Sequence, residues 1–456
     1  MKKSLYLKNI GKLSEAEIDL EGITVICGEN NTGKSTIGKS LYNIYNVFVD
    51  CEKFIGNQRN NEIKNEFLKL QNDIDLIFKP EINPEVIFGR DELNEKYVSL
   101  FIKCSKDEIE KTADDYFREY VRLNKIEMPL NENDEHRYQN WKKRAIKAFS
   151  DVLEVTDKEI ICDYLTIRTE EVFHRQATRI SAEESFTELK DEAKGSLAAR
   201  FISGDKCTDI QRDYSVTASD VPVYIESPHI IDYLNNSFFN TEEFVRKLLS
   251  PSLNLRELFA HITAENIVSD LRPAASNRID IIKTEKKIKE MISELNSLLN
   301  GTFESDKGSV KFKDKNITES LDVRNLSTGI KSMAVIERCL SLGLIKEEST
   351  LILDEPEIHL HPEWQLKYAE FIVILQKALD LTVLITTHSP QFLRALEVYT
   401  DKYDIMDRLN VYSVEGDNIR NASYSEYGVS EIYEKLSAPY EELQQMLYEK
   451  YGEDYE

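Results

Sequence analysis

Eight residues, Gly28-Glu29-Asn30-Asn31-Thr32-Gly33-Lys34-Ser35, carry the first chemistry legible in the chain. They follow the apolar run Ile23-Thr24-Val25-Ile26-Cys27 and precede a helix-forming stretch from Thr36 to Val49. A buried strand, a glycine loop and a helix start are the context of a phosphate cradle. The backbone N–H groups of Gly28, Asn30, Asn31, Thr32, Gly33 and the helix start at Thr36 then wrap a β-phosphate. Lys34 reaches the β- and γ-phosphates, and the Ser35 hydroxyl holds Mg²⁺. Gly28 and Gly33 are needed because side chains there would meet the phosphates.

A second cluster lies in the last third. Thr350-Leu351-Ile352-Leu353-Asp354-Glu355-Pro356 is an apolar strand ending in two carboxylates. Asp354 would hold Mg²⁺ beside Ser35, and Glu355 would polarise an attacking water. Adjacent residues of a regular strand point to opposite faces. The two acids share a site only if the strand ends there, and Pro356 is consistent with that. Leu381-Thr-Val-Leu-Ile385 is another buried strand, running into Thr386-Thr387-His388-Ser389-Pro390. A histidine at the C-terminal end of a parallel strand faces the ligand crevice, so His388 is placed to meet the γ-phosphate or the attacking water. Ser327-Thr328-Gly329 stands before a helix predicted to end at Leu342. Ser327 is its expected N-cap, and its hydroxyl and the helix amides make a second anion site.

The elements that must position these residues follow from pattern. Residues 4 to 20 alternate apolar and polar on both sides of Gly11 and predict two strands joined by a turn. Lys8 or Lys12 of this hairpin is near enough in sequence to touch the phosphates. From 51 to 195 the texture is helical, with no glycine between Gly89 and Gly195 and interruptions at Pro80, Pro84 and Pro129. Within it, Trp141-Lys142-Lys143-Arg144 reads as a solvated helix face sooner than a nucleic-acid patch. Residues 196 to 225 return to strands, 241 to 299 to helix, and 301 to 323 to a short hairpin. Beyond Val414 the chain is acidic and ends in a helix-like segment, Tyr440 to Tyr451, which suits a cap or a docking surface.

Composition bounds the class. A chain of 456 residues implies two or three folding units. A net charge of −24 opposes broad nonspecific binding to nucleic acid. The six cysteines are scattered with no C-x-x-C pair, as expected of reduced cytoplasmic thiols. Lys8 and Lys12 break any apolar core after Met1-Lys2-Lys3, so no secretory leader is expected. The longest apolar stretch, 371 to 385, is interrupted by Gln376, Lys377 and Asp380, so no membrane span is expected.

Taken together, these motifs resemble the heads of ABC-type ATPases, a class that includes transporters, SMC proteins and RecF. The resemblance covers roughly residues 1 to 50 and 220 to 430. It implies an α/β P-loop fold of mixed sheet and helices carrying a large helical insertion, with ATP and Mg²⁺ as cofactors. Gly28 to Ser35 would be Walker A, Ser327 to Gly329 the signature loop, Asp354 and Glu355 Walker B, and His388 the switch histidine. It also implies a head-to-tail dimer in which Ser327 and Gly329 of one copy complete the other's nucleotide site.

Within that class, Asp354-Glu355-Pro356-Glu357-Ile358-His359-Leu360-His361-Pro362 resembles the corresponding run of overcoming-lysogenization-defect (OLD) ATPases and of the anti-phage systems Septu and PARIS. His359 and His361 have metal-ligand spacing but no third ligand, and are read as helix start and dimer contact. The zinc-hook C-x-x-C and long heptad arms of break-repair ATPases are absent. The 68 residues after His388 lack room for a Toprim nuclease domain. Gln176 is the candidate glutamine loop.

These readings divide the chain into an N-terminal head lobe (1–50), a helical insertion (51–195), head strands with a helical segment (196–300), a second head portion (301–415) and an acidic tail (416–456). The expected activity is slow ATP hydrolysis that gates a separately encoded effector, expected to be a nuclease. The rivals are an SMC- or RecF-type clamp on nucleic acid and a transporter's motor subunit.

Overall fold

The computed structural model describes residues 3–48, 51–78, 84–192, 195–213, 222–226, 229, 278–306, 309–316, 319–341, 344–358, 360–423 and 428–451. The expected strand at Tyr214, most of the helix expected from 241, and His359 lie outside them. The chain divides into two compact units, residues 50–161 and the remainder.

The larger unit is built on an eleven-stranded sheet. Its strands are β1 (Lys3–Ile10), β2 (Leu13–Asp19), β3 (Ile23–Cys27), β4 (Glu184–Asp191), β5 (Gly195–Ile202), β6 (Lys206–Arg212), β7 (Val223–Ile225), β11 (Thr350–Asp354), β12 (Thr382–Thr387), β13 (Leu409–Glu415) and β14 (Asn418–Asn421), while β8 (Gly301–Asp306), β9 (Ser309–Asp314) and β10 (Leu321–Asp322) form a separate three-stranded sheet. The order in the large sheet is β6-β5-β4-β1-β2-β14-β13-β3-β12-β11-β7. One half, β6 through β2, is antiparallel. In the other half β13, β3, β12, β11 and β7 run parallel.

Every residue of β3, β11 and β12 is buried. That is why these segments read as unbroken apolar runs instead of alternating ones: a parallel strand is covered on both faces. Helices 328–341, 362–379 and 390–402 supply part of that cover, and their apolar residues join the strands in one core. The α/β P-loop ATPase-head fold expected from the motifs is the fold observed.

Two boundaries differ from the sequence reading. Helical structure ends at Phe173, and Glu184–Asp191, inside the stretch read as helical insertion, is a sheet strand. Its buried face is Ser185, Thr187 and Leu189, so polar residues hide the two-residue period. Ser185 is tolerated there because its hydroxyl meets that of Thr178 at 2.9 Å. The stretch read as acidic tail likewise begins within the sheet, where Asn418–Asn421 pairs with β13 and β2. The helix Ser430–Tyr451 then seats Ile432, Tyr433 and Leu436 on the core.

The smaller unit consists of helices with an aromatic core. Phe101 stacks on Phe149 at 4.1 Å and Phe117 on Tyr138 at 3.7 Å. The buried Trp141 indole donates to the Leu70 carbonyl at 2.9 Å. Lys142 pairs with Glu110 and Asp114, and Arg144 with Asp73. Two of the patch's three cations are thus already neutralised, which leaves little for a phosphate backbone.

No helix among the described residues is long and apolar enough to cross a membrane. Five of the cysteines, Cys27, Cys104, Cys162, Cys207 and Cys339, are free thiols.

Candidate functional site

Strand order does the first part of the positioning. β12 lies between β3 and β11, in register, so that Ile26, Thr386 and Asp354 form one row across the three strands. The glycine loop leaves the C-terminal end of β3, the two carboxylates leave β11, and the threonine-histidine segment leaves β12. Residues more than 300 positions apart in sequence therefore meet at one edge, outside the carboxyl ends of parallel strands, where α/β proteins bind ligands.

The loop is held open by its own backbone. Gly33 has φ +104°, which side-chain-bearing residues rarely adopt, and Asn31 has φ +64°, which asparagine tolerates. A Cβ on Gly28 would approach Thr32 Oγ1 to 3.2 Å and Val414 Cβ to 3.4 Å. Gly33 is therefore demanded by the loop's own fold, in addition to any phosphate, and a side chain at Gly28 would press on Thr32. Thr32 Oγ1 donates to the Glu29 carbonyl at 2.9 Å. Lys12 donates to the Asn31 carbonyl at 2.7 Å, so this lysine braces the loop from the β1–β2 hairpin. Glu29, Asn30 and Asn31 are exposed, whereas Lys34 is 3% exposed. Helix 34–48 starts at Lys34, so free backbone N–H groups and the positive end of a helix dipole face the loop.

The Lys34 ammonium donates to the Gly28 carbonyl at 2.9 Å and the Glu29 carbonyl at 2.7 Å, and lies 3.4 Å from Glu355 Oε1. Ser35 Oγ donates to Asp354 Oδ1 at 2.9 Å. Thr386 Oγ1 also donates to Asp354 Oδ1, and the Tyr224 hydroxyl donates to Asp354 Oδ2 at 2.8 Å. Burial, and then the Asp354 carboxylate, push the Tyr224 hydroxyl well above its ordinary pKa, so it stays a donor. β11 ends at Asp354, and Glu355 has φ +48°. This turn puts its carboxylate on the same side as Asp354, with the Glu355 N–H donating to both the carbonyl and the hydroxyl of Thr386 at 3.0 Å. His388 Nδ1 lies 3.5 Å from Glu355 Oε1.

These residues fit a magnesium nucleotide. A buried ammonium beside a glycine loop and a helix start is a cation placed for phosphate oxygens. A hydroxyl 2.9 Å from a carboxylate is an oxygen pair suited to a hard divalent ion. Lys34 and the loop amides would hold the phosphates, and Ser35 and Asp354 the Mg²⁺, which when bound supplies charge neutralisation at the phosphoryl oxygens. Among the described residues no group of three or more histidine, cysteine and carboxylate side chains could hold a metal ion.

Ser327 and Gly329 lie elsewhere. No hydrogen bond among the described residues ties either to the glycine loop. Thr328 opens helix 328–341, so Ser327 stands at the N-cap position, and it is exposed. Gly329 is buried, and a Cβ there would come within 2.8 Å of the Trp364 ring. Ser327 is thus presented outward, while Gly329 serves close packing. His361 caps helix 362–379, its ring accepting from the Glu363 N–H at 3.4 Å. Gln176 is exposed in the turn after helix 157–173, and the carbonyl of the next residue, Ala177, accepts from Gly11 N–H, whose neighbour is Thr36.

Three contacts escaped the sequence reading: Tyr224, Thr386 and Glu357. Tyr224 had a signal, because a tyrosine in a fully buried strand must find its hydroxyl a partner. Tyr224→Phe is expected to raise the Mg²⁺ concentration needed for half-maximal nucleotide binding by about 10-fold, the usual cost of removing a group that orients a metal ligand. Titration of nucleotide binding with Mg²⁺ measures it, and an unchanged midpoint would detach Tyr224 from the metal site.

Comparison with known proteins places this geometry in a family. The AAA ATPase domain family matches residues 1–393. Among curated proteins no relative matches the chain. The fold is similar to the SMC head in a crystal structure of that head bound to the C-winged helix domain of ScpA, with 10% identity, 92% of this chain and 96% of that one covered, and a TM-score of 0.40. It is also similar to the SMC head domain from Thermotoga maritima, with 10% identity, 92% and 97% covered, and a TM-score of 0.35. With most of its length matched, glycine loop, carboxylate strand end and histidine segment included, the chain belongs to the AAA ATPase domain family.

Proposed function

We propose that the chain binds ATP with Mg²⁺, closes on a second copy of itself, hydrolyses the nucleotide slowly, and by that cycle controls a separately encoded effector, a nuclease, in anti-phage defence. The observation that carries the ATPase part is the convergence of Lys34, Ser35, Asp354, Glu355 and His388 at three adjacent strand ends. In this reading Gly28, Asn30, Asn31, Thr32, Gly33 and Thr36 bind phosphate through their backbone. Glu355 takes the proton of the attacking water, and His388 reports the γ-phosphate.

The outward position of Ser327 supports a role in trans. Ser327→Arg, an exposed change that leaves the fold alone, is expected to abolish the ATP-dependent dimer. Light scattering with ATP and Mg²⁺ checks this; a dimer formed equally well by the variant would remove Ser327 from the contact.

The defence assignment rests on the Asp354-to-Pro362 run alone. A reading frame for a small nuclease beside this one supports it, and a permease gene there overturns it. An ATP-gated clamp on nucleic acid accounts for the same site. Salt-sensitive duplex binding by the purified protein would favour that reading, against which stand the charge of −24 and the paired cations at Lys142 and Arg144.

A further inference from the structure

Glu357 belongs to none of the roles above, yet it is one of the most buried carboxylates in the fold, 3% exposed. Burial pushes its carboxyl above the ordinary pKa, against the hydrogen bonds that favour the anion. Such a group costs stability unless its donors repay it. Two of its donors come from one short segment. Thr387 Oγ1 donates to Glu357 Oε1 at 2.5 Å, and the His388 backbone N–H donates to the same oxygen at 3.2 Å. The Thr387 hydroxyl in turn accepts from the Ser389 N–H at 3.0 Å, extending the hold by one residue.

The imidazole itself is left between two carboxylates. His388 Nδ1 is 3.5 Å from Glu355 Oε1 and 3.7 Å from Glu357 Oε1, too far for a hydrogen bond to either, and it has no hydrogen-bond partner among the described residues. Glu357 Oε2 is likewise buried without one. The backbone of residue 388 is therefore held by Glu357, while Nδ1 of its ring makes no hydrogen bond among the described residues.

We propose that Glu357 is a positioning residue for His388: its carboxylate anchors the backbone of 387–388 and so keeps the imidazole beside Glu355. This rests on the ATPase reading. The anchor needs an acceptor oxygen at this depth. A glutamine supplies one, whereas a leucine of similar volume supplies none and strands the Thr387 hydroxyl and the His388 N–H.

The test compares the full-length wild type with Glu357→Gln, Glu357→Leu, His388→Ala and the Glu357→Leu/His388→Ala double variant. Glu357→Leu is expected to lower kcat by roughly 10-fold or more with KM for ATP little changed, as displacement of a reacting group does. Glu357→Gln should keep turnover within about threefold, since its amide oxygen still accepts. In the His388→Ala background Glu357→Leu should cost nothing further, because a residue acting through another is non-additive with it.

Amide hydrogen exchange without nucleotide gives a readout independent of turnover. The His388 N–H should exchange faster in Glu357→Leu and at the wild-type rate in Glu357→Gln. Equal losses from Glu357→Leu in both backgrounds, or unchanged exchange at His388, would overturn the proposal. Absence of turnover in the wild type would sink the ATPase reading alone, and the exchange result would still decide whether Glu357 anchors the segment. If Glu357→Leu does not fold, Glu357→Asp, whose carboxylate is withdrawn by one methylene, should give the same faster exchange at His388.

Discussion

Glu355→Gln is expected to bind ATP as the wild type does and to lose turnover by about 10²-fold or more, the usual worth of a positioned general base. The geometry argues for Glu355 over its neighbour. Asp354 is the last residue of its strand, and both its oxygens are occupied by hydroxyl donors: Ser35 and Thr386 on one, Tyr224 on the other. These three donors fix its orientation, which suits a metal ligand. Glu355 sits one residue beyond, in a left-handed conformation that costs a non-glycine residue about 1 kcal/mol. What that strain achieves is to bring a second carboxylate to the same side, 3.4 Å from Lys34 Nζ and 3.5 Å from His388 Nδ1. The glutamine amide keeps the volume and cannot take a proton. Phosphate release under saturating ATP measures the loss, and nucleotide retention on a desalting column measures the binding. Unchanged turnover would remove Glu355 from the chemistry.

Much of this site is legible in the sequence. The phosphate loop is read from spacing because each of its residues answers to a local demand: glycines for backbone conformation, lysine and serine for charge and oxygen. The strand end at Asp354-Glu355 was also legible, since two adjacent acids share a site only where the strand stops, and Pro356 signals the stop. What sequence could not supply is lateral order. Nothing in the run Thr382 to Thr387 says that β12 lies between β3 and β11, yet that placement turns Thr386 into a donor to Asp354 and a receiver for the Glu355 N–H. Tyr224 is hidden for the same reason, its partner lying 130 residues away on the neighbouring strand.

The misread boundaries have a different cause. β4 buries Ser185 and Thr187, and the Ser185 hydroxyl meets that of Thr178, a neighbour that only the fold provides. A hydrophobicity period cannot register a strand whose inward face is polar. β14 is four residues long and ends in asparagines, below the length at which alternation is informative. Gly329 teaches the converse. Its place in a motif-like Ser-Thr-Gly suggested an outward contact, whereas in the fold it admits the Trp364 ring, so a substitution there tests packing before it tests dimer closure.

Lys34→Ala is expected to raise the Kd for ATP with Mg²⁺ by roughly 10²-fold or more, because a charge-assisted contact to phosphate is lost from a water-poor site. The buried ammonium is already engaged before nucleotide arrives, on the Gly28 and Glu29 carbonyls and beside Glu355. These contacts hold the loop in the shape that phosphate requires, so the variant loses preorganisation as well as charge. Thermal unfolding separates the effects. ATP at 100 times the wild-type Kd should stabilise the wild type by about 2.7 kcal/mol and the variant by less than about 0.5 kcal/mol. The nucleotide-free Tm of Lys34→Ala reports how much the loop contacts contribute by themselves. A variant stabilised by ATP as strongly as the wild type would show that the phosphates are held elsewhere, and with that the assignment of Gly28 to Ser35 as the nucleotide cradle would fall.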